Sequence, residues 1–314
     1  MDLRQLRYFL EMVEQGSLSQ AARQLNVAQS ALSFHLRNIE DELGTHLLVR
    51  QRSGVVATEA GEALARHARR LLDEHTRGLD EIRGMGREPV GTVRLGLPGT
   101  ISDKLTVELI KTARTRFPKI RLTVSEAMSG FVAGWLRDEQ IDLAILYIDP
   151  KEPDLRAQCL IDEELVVISA GGKGGTGCTS FTALQDNKLI LPSPAHGLRQ
   201  MLVAAAGRAG HVIRAEIEID SYKNIKSLVG LGLGMSILPL HAVEAERMAG
   251  QLTIRRFQEP GLWRSLHLVH RTTRPPTRAV QAIAALIDEM IMTIVANGDW
   301  PGARPTSSTR AGGV

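Results

Sequence analysis

Residues 17–58 constrain the fold of this chain more than any other stretch. Ser17 and Gln20 form the S-x-x-Q pattern of a helix N-terminus, and Asn26 suits the left-handed residue that ends a helix. Over residues 29–43, the apolar side chains fall at steps of four, three and four, as they do on the buried side of a helix. The sequence therefore predicts two helices joined by a tight turn, an arrangement that places the second helix in the DNA major groove.

The polar face of the second helix and the segment after it are the expected DNA contacts. Gln29, Ser30, Ser33 and Arg37 lie away from the apolar stripe, and most are short enough for close approach. Residues 46–58 alternate like a hairpin, with a turn at Ser53-Gly54 and the strands His46–Arg50 and Val55–Ala57. Arg50 and Arg52 would lie near its tip and reach phosphates or the minor groove, unless they form only a solvated basic turn.

The charge of this region is a constraint on how it binds. Residues 1–88 contain twelve arginines, no lysine and thirteen acids, whereas a DNA-binding domain usually carries a basic footprint. The basic surface must therefore be local, with the acids turned away, and is expected to involve Arg4, Arg7, Arg37, Arg50 and Arg52. We expect monomers to bind weakly and dimerisation to supply the affinity.

A long helix is predicted after the hairpin. Thr58 can cap a helix over residues 59–83 whose apolar residues repeat near every 3.5 positions: Leu64, Ala68, Leu71, His75, Leu79 and Ile82. One apolar stripe on so long a helix favours a partner helix, and the alternative is packing on its own chain. Gly84, Gly86 and Pro89 then predict a hinge.

From Thr92 onward, short apolar strands alternate with helices, which indicates a parallel sheet covered on both faces. The pattern restarts near residue 165. Two α/β halves joined by extended strands near 160 and 265 would leave a cleft between them. A helix over 277–295 follows, and residues 298–314 are rich in Gly, Pro, Ser and Thr and are expected to be disordered.

The cleft is the expected site of a small ligand, because ligands bind beyond the carboxyl ends of parallel strands. Three loops there offer hydroxyls and helix N-termini: residues 98–102, 128–130 and 193–199. Such groups favour an anion. A small carboxylate is predicted to contact Thr100, Ser102, Ser129 and His196, and the alternative is that these residues are ordinary helix caps.

Other patterns argue against catalysis and cofactors. Cys159 and Cys178 are too few for a disulfide framework and are expected to be idle thiols, with a redox pair as the alternative. The glycines of residues 230–234 follow a helix and enter a strand, the reverse of a dinucleotide site, and residues 171–178 lack phosphate-loop spacing. No histidine cluster indicates a metal. The first residues form neither a signal peptide nor an anchor, so we expect a cytoplasmic protein.

Residues 1–61, ending SALSFHLRNIEDELGTHLLVRQRSGVVATEAG, resemble the winged helix-turn-helix of LysR-type transcriptional regulators. The resemblance continues in VRLGLPGT (93–100), DLAIL (142–146) and VGLGLGMSILP (229–239), and it reaches residue 295. Within the family, LGLPGTISDKL and SEAMSGFVAGWL are similar to a branch that contains nitrogen-assimilation regulators.

The resemblance implies a mainly α winged helix-turn-helix domain (1–58), a linker helix and hinge (59–88), and an α/β effector domain (89–297). The effector domain would have two subdomains resembling type 2 periplasmic binding proteins, one formed by about 92–160 and 270–296 and the other by about 161–269. It implies homotetramers that bend promoter DNA and are modulated by a small effector.

The family match places Gln29, Ser30, Ser33, Phe34 and His35 at the DNA-facing start of the recognition helix. Ala28 departs from the capping Ser or Thr of many members. Phe34 departs from a common polar residue, and either contacts a thymine methyl or packs internally. Two alternatives remain: a small-molecule binding protein or enzyme with an unused DNA-binding head, and a regulator without an effector.

Overall fold

The computed structural model describes residues 1–52, 54–83, 88–172, 177–273 and 275–306, with the backbone alone at residues 81 and 83. The predicted turn residue Ser53, the hinge glycines 84 and 86, residues 173–176 of the glycine-rich loop and the tail 307–314 lie outside this description. The chain divides into two compact units, Met1–Met85 and Gly86–Val314.

The first unit is a three-helix domain with a two-stranded wing and a long final helix. Its elements are α1 (Leu3–Gln15), α2 (Leu18–Gln24), α3 (Gln29–Leu43), β1 (Leu48–Gln51), β2 (Gly54–Ala57) and α4 (Glu59–Arg83). Its core includes Phe9, Met12, Leu32, Ile39 and Leu47, all fully buried. Asn26 is left-handed as predicted, with φ of 55°.

Local caps fix the ends of these helices. Ser17 accepts a hydrogen bond from Gln20 N (3.4 Å), and a full reciprocal capping box occurs at α1 between Asp2 and Gln5. The wing is held to the α1–α2 turn, because Val55 N donates to the Gly16 carbonyl (2.8 Å). A Cβ atom at Gly54 would collide with that carbonyl oxygen, so the wing can lie this close only with glycine there.

The second unit alternates strands and helices. It comprises β3 (Gly91–Leu97), α5 (Gly99–Arg116), β4 (Ile120–Glu126), α6 (Ser129–Arg137), β5 (Leu143–Leu146), β6 (Leu155–Ala170), β7 (Cys178–Thr179), a 3₁₀ turn (Thr182–Leu184), β8 (Ile190–Leu191), α7 (Gly197–Arg208), β9 (Ile217–Glu218), α8 (Tyr222–Gly230), β10 (Ser236–Pro239), α9 (Leu240–Met248), β11 (Leu252–Phe257), β12 (Trp263–Arg271), α10 (Arg278–Ala296) and β13 (Ala303–Pro305).

The predicted parallel arrangement is confirmed for the first three strands of this unit, whereas the sheet as a whole is mixed. β4, β3 and β5 are parallel, but β12 runs antiparallel to both β5 and β6, and β10 and β11 run antiparallel to β6. The long strands β6 and β12 pass through both halves of the unit. Leu160 and Leu266 belong to the core of the first half, whereas Val166 of β6 and Leu262, the residue before β12, belong to the core of the second. The two halves predicted from the sequence are therefore joined by these two strands.

The C-terminal segment departs from the sequence expectation. Disorder was predicted from residue 298, but residues 298–306 are part of the fold. Trp300 is 1% exposed, and β13 pairs antiparallel with β6. The burial of the large Trp300 side chain outweighs the Gly- and Pro-rich composition around it.

Helix α10 is long and apolar enough to cross a membrane by length and composition alone, and it is the one such helix among the described residues. Its Ile283, Ile287 and Ile291 side chains are fully buried in the core of the first half. Those contacts explain the apolar composition as that of a core helix.

Candidate DNA interface and effector cavity

The outward face of α3 carries the polar side chains predicted to meet DNA. Gln29, Ser30 and Arg37 are exposed, and Ser33 is half-buried. The Gln29 side-chain carbonyl accepts a hydrogen bond from the Ser19 hydroxyl of α2 (3.3 Å), and Arg37 Nε donates to the Ser33 carbonyl (3.3 Å). These contacts position two long side chains on the surface of the helix.

The two aromatic residues of this segment differ in placement. Phe34 is 57% exposed, so it does not pack inside the domain. The His35 ring is half-buried, and its centroid lies 5.2 Å from that of Tyr8 in an edge-to-face contact with α1. Phe34 is therefore the more accessible of the two to a base, and His35 contributes partly to packing.

The N-terminus of α3 is open. Its cap position is Ala28, which makes no side-chain cap hydrogen bond, whereas Asp2 caps α1 and Ser17 caps α2. The first-turn N–H groups of α3 therefore lack a side-chain acceptor. Such groups favour a phosphate oxygen.

The arrangement of charge explains how a domain without net basicity presents cations. Arg50 on β1 and Arg52 at its end are exposed. In contrast, Glu40 accepts a hydrogen bond from Leu47 N (2.7 Å), and Glu42 pairs with the amino group of Met1 (2.7 Å). These two acids have partners within the domain, and the wing arginines face solvent.

Helix α4 divides into two parts. Its first half packs on the domain, where Ala65 and Ala68 are fully buried. In its second half Leu71, Leu79 and Ile82 are 51%, 40% and 67% exposed. The predicted apolar stripe therefore serves its own domain over the first turns and lies open over the last ones.

The second unit contains a cavity of about 420 Å³ between its halves. Its wall is formed by the carboxyl ends of strands and the first turns of helices: Pro98, Gly99, Thr100, Asp103, Glu126, Ala127, Met128, Ser129, Tyr147, His196, Gly197, Leu198, Asp220, Ser221, Tyr222 and Arg264. Thr100, Ser129 and His196 are on this wall. Ser102 is not, because it follows on α5 and its hydroxyl lies 3.0 Å from that of Thr106.

Two helices begin at the cavity without side-chain caps. The cap positions are Pro98 for α5 and Met128 for α6, and neither supplies a cap hydrogen bond. By contrast, His196 Nδ1 accepts from Leu198 N (3.1 Å) and so caps α7. Burial lowers the pKa of His196, which favours its neutral form at the cavity.

Sequence reasoning missed the buried polar cluster next to this cavity. Its centre is Glu163, which is 1% exposed. The Glu163 carboxylate accepts hydrogen bonds from Arg264 Nε (2.8 Å), Trp300 Nε1 (2.9 Å) and the Tyr147 hydroxyl (3.3 Å). The cluster thus joins β6, β12, the residue that follows β5 and the C-terminal segment.

The Tyr147 ring packs on the Arg264 guanidinium, whose carbon lies 3.4 Å from the ring centre. The Arg264 charge also acts on the hydroxyl of Tyr222 on the cavity wall. Burial raises the pKa of both tyrosine hydroxyls. The Thr100 hydroxyl lies 3.4 Å from that of Tyr147, which connects the cavity wall to the buried cluster.

His241 gives this cluster a pH dependence. Its Nδ1 atom lies 3.2 Å from Glu163 Oε1, and burial lowers its pKa from 6.5 to about 4. As the pH falls, His241 is protonated in the unfolded chain before it is protonated in the folded one, and this favours unfolding. The contribution of His241 to the free energy of unfolding is therefore fully present above pH 6.5 and is lost as the pH falls towards 4. We expect His241 to account for a loss of about 3 kcal/mol in the free energy of unfolding over that range.

Urea titrations at pH 7.5 and 4.5 would measure this effect. A His241→Gln variant should lose less stability on acidification than the natural chain. A His46→Gln variant, altered at an exposed ring, is the control and should lose as much stability as the natural chain. Equal losses in all three proteins would contradict the assignment.

The two cysteines are both free thiols. Cys159 is half-buried on β6 and Cys178 is exposed on β7. Burial raises the pKa of the Cys159 thiol, which makes it a poorer nucleophile at neutral pH. This environment does not favour redox chemistry at Cys159.

Comparison with known proteins identifies both units. Residues 3–62 match the bacterial regulatory helix-turn-helix protein family of the lysR type, and residues 86–291 match the LysR substrate binding domain. The nitrogen assimilation regulatory protein nac of Klebsiella aerogenes is 30% identical over 287 residues, which cover 90% of this chain and 94% of the relative. The nac protein of Escherichia coli K12 is 28% identical over 299 residues, or 95% and 96%.

Solved structures show the same architecture. A full-length OxyR variant from Pseudomonas aeruginosa is 26% identical, with a TM-score of 0.70 over 91% of this chain and 94% of that one. CbnR in complex with its target DNA, at 22% identity, shares the fold with a TM-score of 0.68 over 93% and 100%.

A winged helix-turn-helix domain together with a ligand-binding α/β domain defines a ligand-responsive transcriptional regulator. The chain belongs to the LysR family of bacterial transcriptional regulators, as its sequence resemblance indicated. Its relatives include nitrogen-assimilation regulators. Because bacterial regulators of this family bind DNA, they act in the cytoplasm.

Proposed function

We propose that this regulator senses a small carboxylate-bearing effector in the cavity of its second unit. The observation that carries this proposal is the pair of uncapped helix N-termini, α5 and α6, at one cavity wall. Thr100, Ser129 and His196 would contact the effector, and Ser102 would support the first turn of α5 through Thr106. The effector would act without catalysis, by changing how the two halves close around it.

The Thr100→Ala and Ser129→Ala variants test this placement. Each removes a hydroxyl from the cavity wall, and we expect the combined variant to need at least about tenfold more effector for the same response, because a hydrogen bond to a charged group is worth about 1.5–3 kcal/mol. The readout is the change in the promoter footprint when a panel of small carboxylates and amino acids is added. Thr115→Ala, at the exposed far end of α5, is the matched control.

An unchanged footprint response in the double variant would overturn the placement. A response that is equally weakened by Thr115→Ala would point to a general loss of helix stability.

On DNA, we propose that Gln29, Ser33 and Phe34 read bases, with Ser30 and His35 beside them, and that Arg37, Arg50 and Arg52 contact phosphates. Exposure of Phe34 and the wing arginines supports this assignment. The open N-terminus of α3 would add a further phosphate contact. Dimers formed through α4 would assemble into tetramers that bend promoter DNA on the nucleoid.

The salt dependence of DNA binding separates the two kinds of contact. Removing the arginine side chain in Arg50→Ala should weaken binding to all sequences and lower the slope of log affinity against log salt by about 1. Gln29→Ala should instead relax the base preference, at a cost of about 1–3 kcal/mol on the preferred site.

Fluorescence anisotropy on promoter fragments, chosen by genome-wide mapping of bound DNA, would measure both effects. Arg208→Ala, altered at an exposed cation of the second unit, is the control. Absence of salt-dependent promoter binding by the natural chain would favour the alternative of a ligand-binding protein with an unused head.

A further inference from the structure

The charges around the cavity do not match a ligand that is only negative. Asp103, Glu126 and Asp220 place carboxylates on its wall, and all three residues are exposed. Among the described residues, Arg264 is the one Arg or Lys on the wall, and its charge is matched by the buried Glu163 carboxylate. A simple carboxylate would therefore enter a cavity of its own sign.

Two of the three acids, Asp103 and Glu126, make no side-chain hydrogen bond or ion pair among the described residues. Asp103 is the fifth residue of α5, whereas Glu126 lies by the start of that helix. Glu126 ends β4 and lies against the first turn of α5, where a Cβ atom at Gly99 would be 2.5 Å from Glu126 Oε1. Asp220 accepts hydrogen bonds from Ser193 N (2.9 Å) and the Ser193 hydroxyl (3.2 Å). The Glu126 carboxylate makes no hydrogen bond or ion pair within the described part of the chain, so its charge is available to a cation in the cavity.

A hydroxyl on the cavity wall lies three residues further along the chain. Ser129 opens α6 and is only 8% exposed, and its hydroxyl has no hydrogen-bond partner among the residues described. The first-turn N–H groups of α6 also lack a side-chain cap. A group that can satisfy these donors is an anion.

The wall of this cavity therefore carries both an unpaired acid, Glu126, and a set of free donors at Ser129 and the start of α6. We infer that the cavity takes a zwitterion of the amino-acid class, with the carboxylate on Ser129 and the first turn of α6 and the ammonium group on Glu126. This refinement rests on the proposed function as an effector site. An amino acid carries both charges on one carbon, which suits a cavity lined by both kinds of group, and the volume of about 420 Å³ has room for its side chain.

Other ligand classes satisfy only part of the wall. A carboxylate without an amine leaves Glu126 facing a second negative charge, and an amine without a carboxylate leaves the first-turn N–H groups of α6, which can only donate, without an acceptor. A divalent cation does not fit either, because no group of three His, Cys, Asp or Glu side chains able to hold a metal ion occurs in the described ranges.

Calorimetric titration of the full chain tests the inference. The probes are the proteinogenic L-amino acids and, for the one that binds best, two analogues: the carboxylic acid that lacks the amino group and the amine that lacks the carboxylate. We expect the amino acid to bind at least about tenfold more tightly than either analogue, because each analogue lacks one of the two charge-assisted interactions.

The Glu126→Gln variant assigns the ammonium site. It should bring the affinities of the amino acid and the amine-free analogue to within about threefold of each other. Glu108→Gln, altered at an exposed acid of α5 that is not on the wall, should keep the preference of the natural chain. The inference is overturned if the natural chain binds no amino acid or binds either analogue as tightly as the amino acid. It is also overturned if Glu126→Gln keeps the full preference for the amino acid over the amine-free analogue.

A promoter footprint in the same samples separates this inference from the proposed function. If a simple carboxylate binds and alters the footprint, the effector site stands and the zwitterion is wrong. If no small molecule alters the footprint, the proposed function itself fails.

Discussion

Replacing Glu163 with glutamine is expected to lower the free energy of unfolding of the second unit by about 3–5 kcal/mol. The substitution leaves the Arg264 guanidinium, 5% exposed, without a counter-charge in the interior. It also weakens the acceptor of the Trp300 and Tyr147 hydrogen bonds. Urea titration followed by tryptophan fluorescence measures the loss, since Trp300 is part of the cluster.

Two variants make the result decisive. Glu152→Gln removes an acid that pairs with Arg137 at the surface (2.9 Å) and should change stability by no more than about 1 kcal/mol. Combining Glu163→Leu with Arg264→Leu leaves no charge unpaired and should recover part of the loss; the remainder reflects the Trp300 and Tyr147 donors, which lose their acceptor. A Glu163→Gln protein as stable as Glu152→Gln would show that the cluster does not stabilise the fold.

The paired substitutions Leu79→Glu and Ile82→Glu are expected to convert the protein to monomers and to weaken promoter binding at least about 100-fold. Both side chains are exposed on the second half of α4, where a partner helix would cover them. Glutamates there would face like charges and lose the apolar contact. A dimer gains affinity because its second head binds at high effective concentration, and that gain is about 10²–10⁴-fold.

Sedimentation equilibrium and anisotropy on promoter DNA measure these two effects. His67→Glu, which adds negative charge at an exposed position of the same helix, is the control. We expect it to reduce the mass of the assembly and the affinity for promoter DNA much less than the paired substitutions do. A dimer that persists in the Leu79→Glu, Ile82→Glu protein would move the interface elsewhere on the chain.

Features set by local chemistry could be predicted from the sequence. Ser17 caps α2, Asn26 is left-handed, and the spacing of Leu32 and Ile39 gives the buried side of α3. Each depends on neighbours within one or two helical turns, so the pattern along the chain contains the information. The strand-and-helix order of the second unit follows for the same reason.

Features set by contacts between distant segments could not be predicted. The sequence places Ser102 in the same loop as Thr100, but the turn of α5 takes it off the cavity wall. Glu163 and Trp300 are 137 residues apart and meet only in the fold. The direction of β12, which makes the sheet mixed, is likewise a property of the whole unit.

One missed residue did leave a signal. Arg264 alternates in phase with Leu266 and Leu268 on β12, and all three are buried. A charged residue at an inward position of a strand requires a buried counter-charge. Glu163, within the apolar strand β6, has the same signature, and pairing the two would have placed both beside the cleft.

The buried Trp300 changes where the chain can be cut or extended. Removing the segment after Asn297 would delete an edge strand from β6 and open the interior around Glu163 to water. An affinity tag or fluorescent fusion should therefore follow residue 306, and a family alignment that stops at residue 291 is a poor guide to the boundary of the ligand-sensing unit.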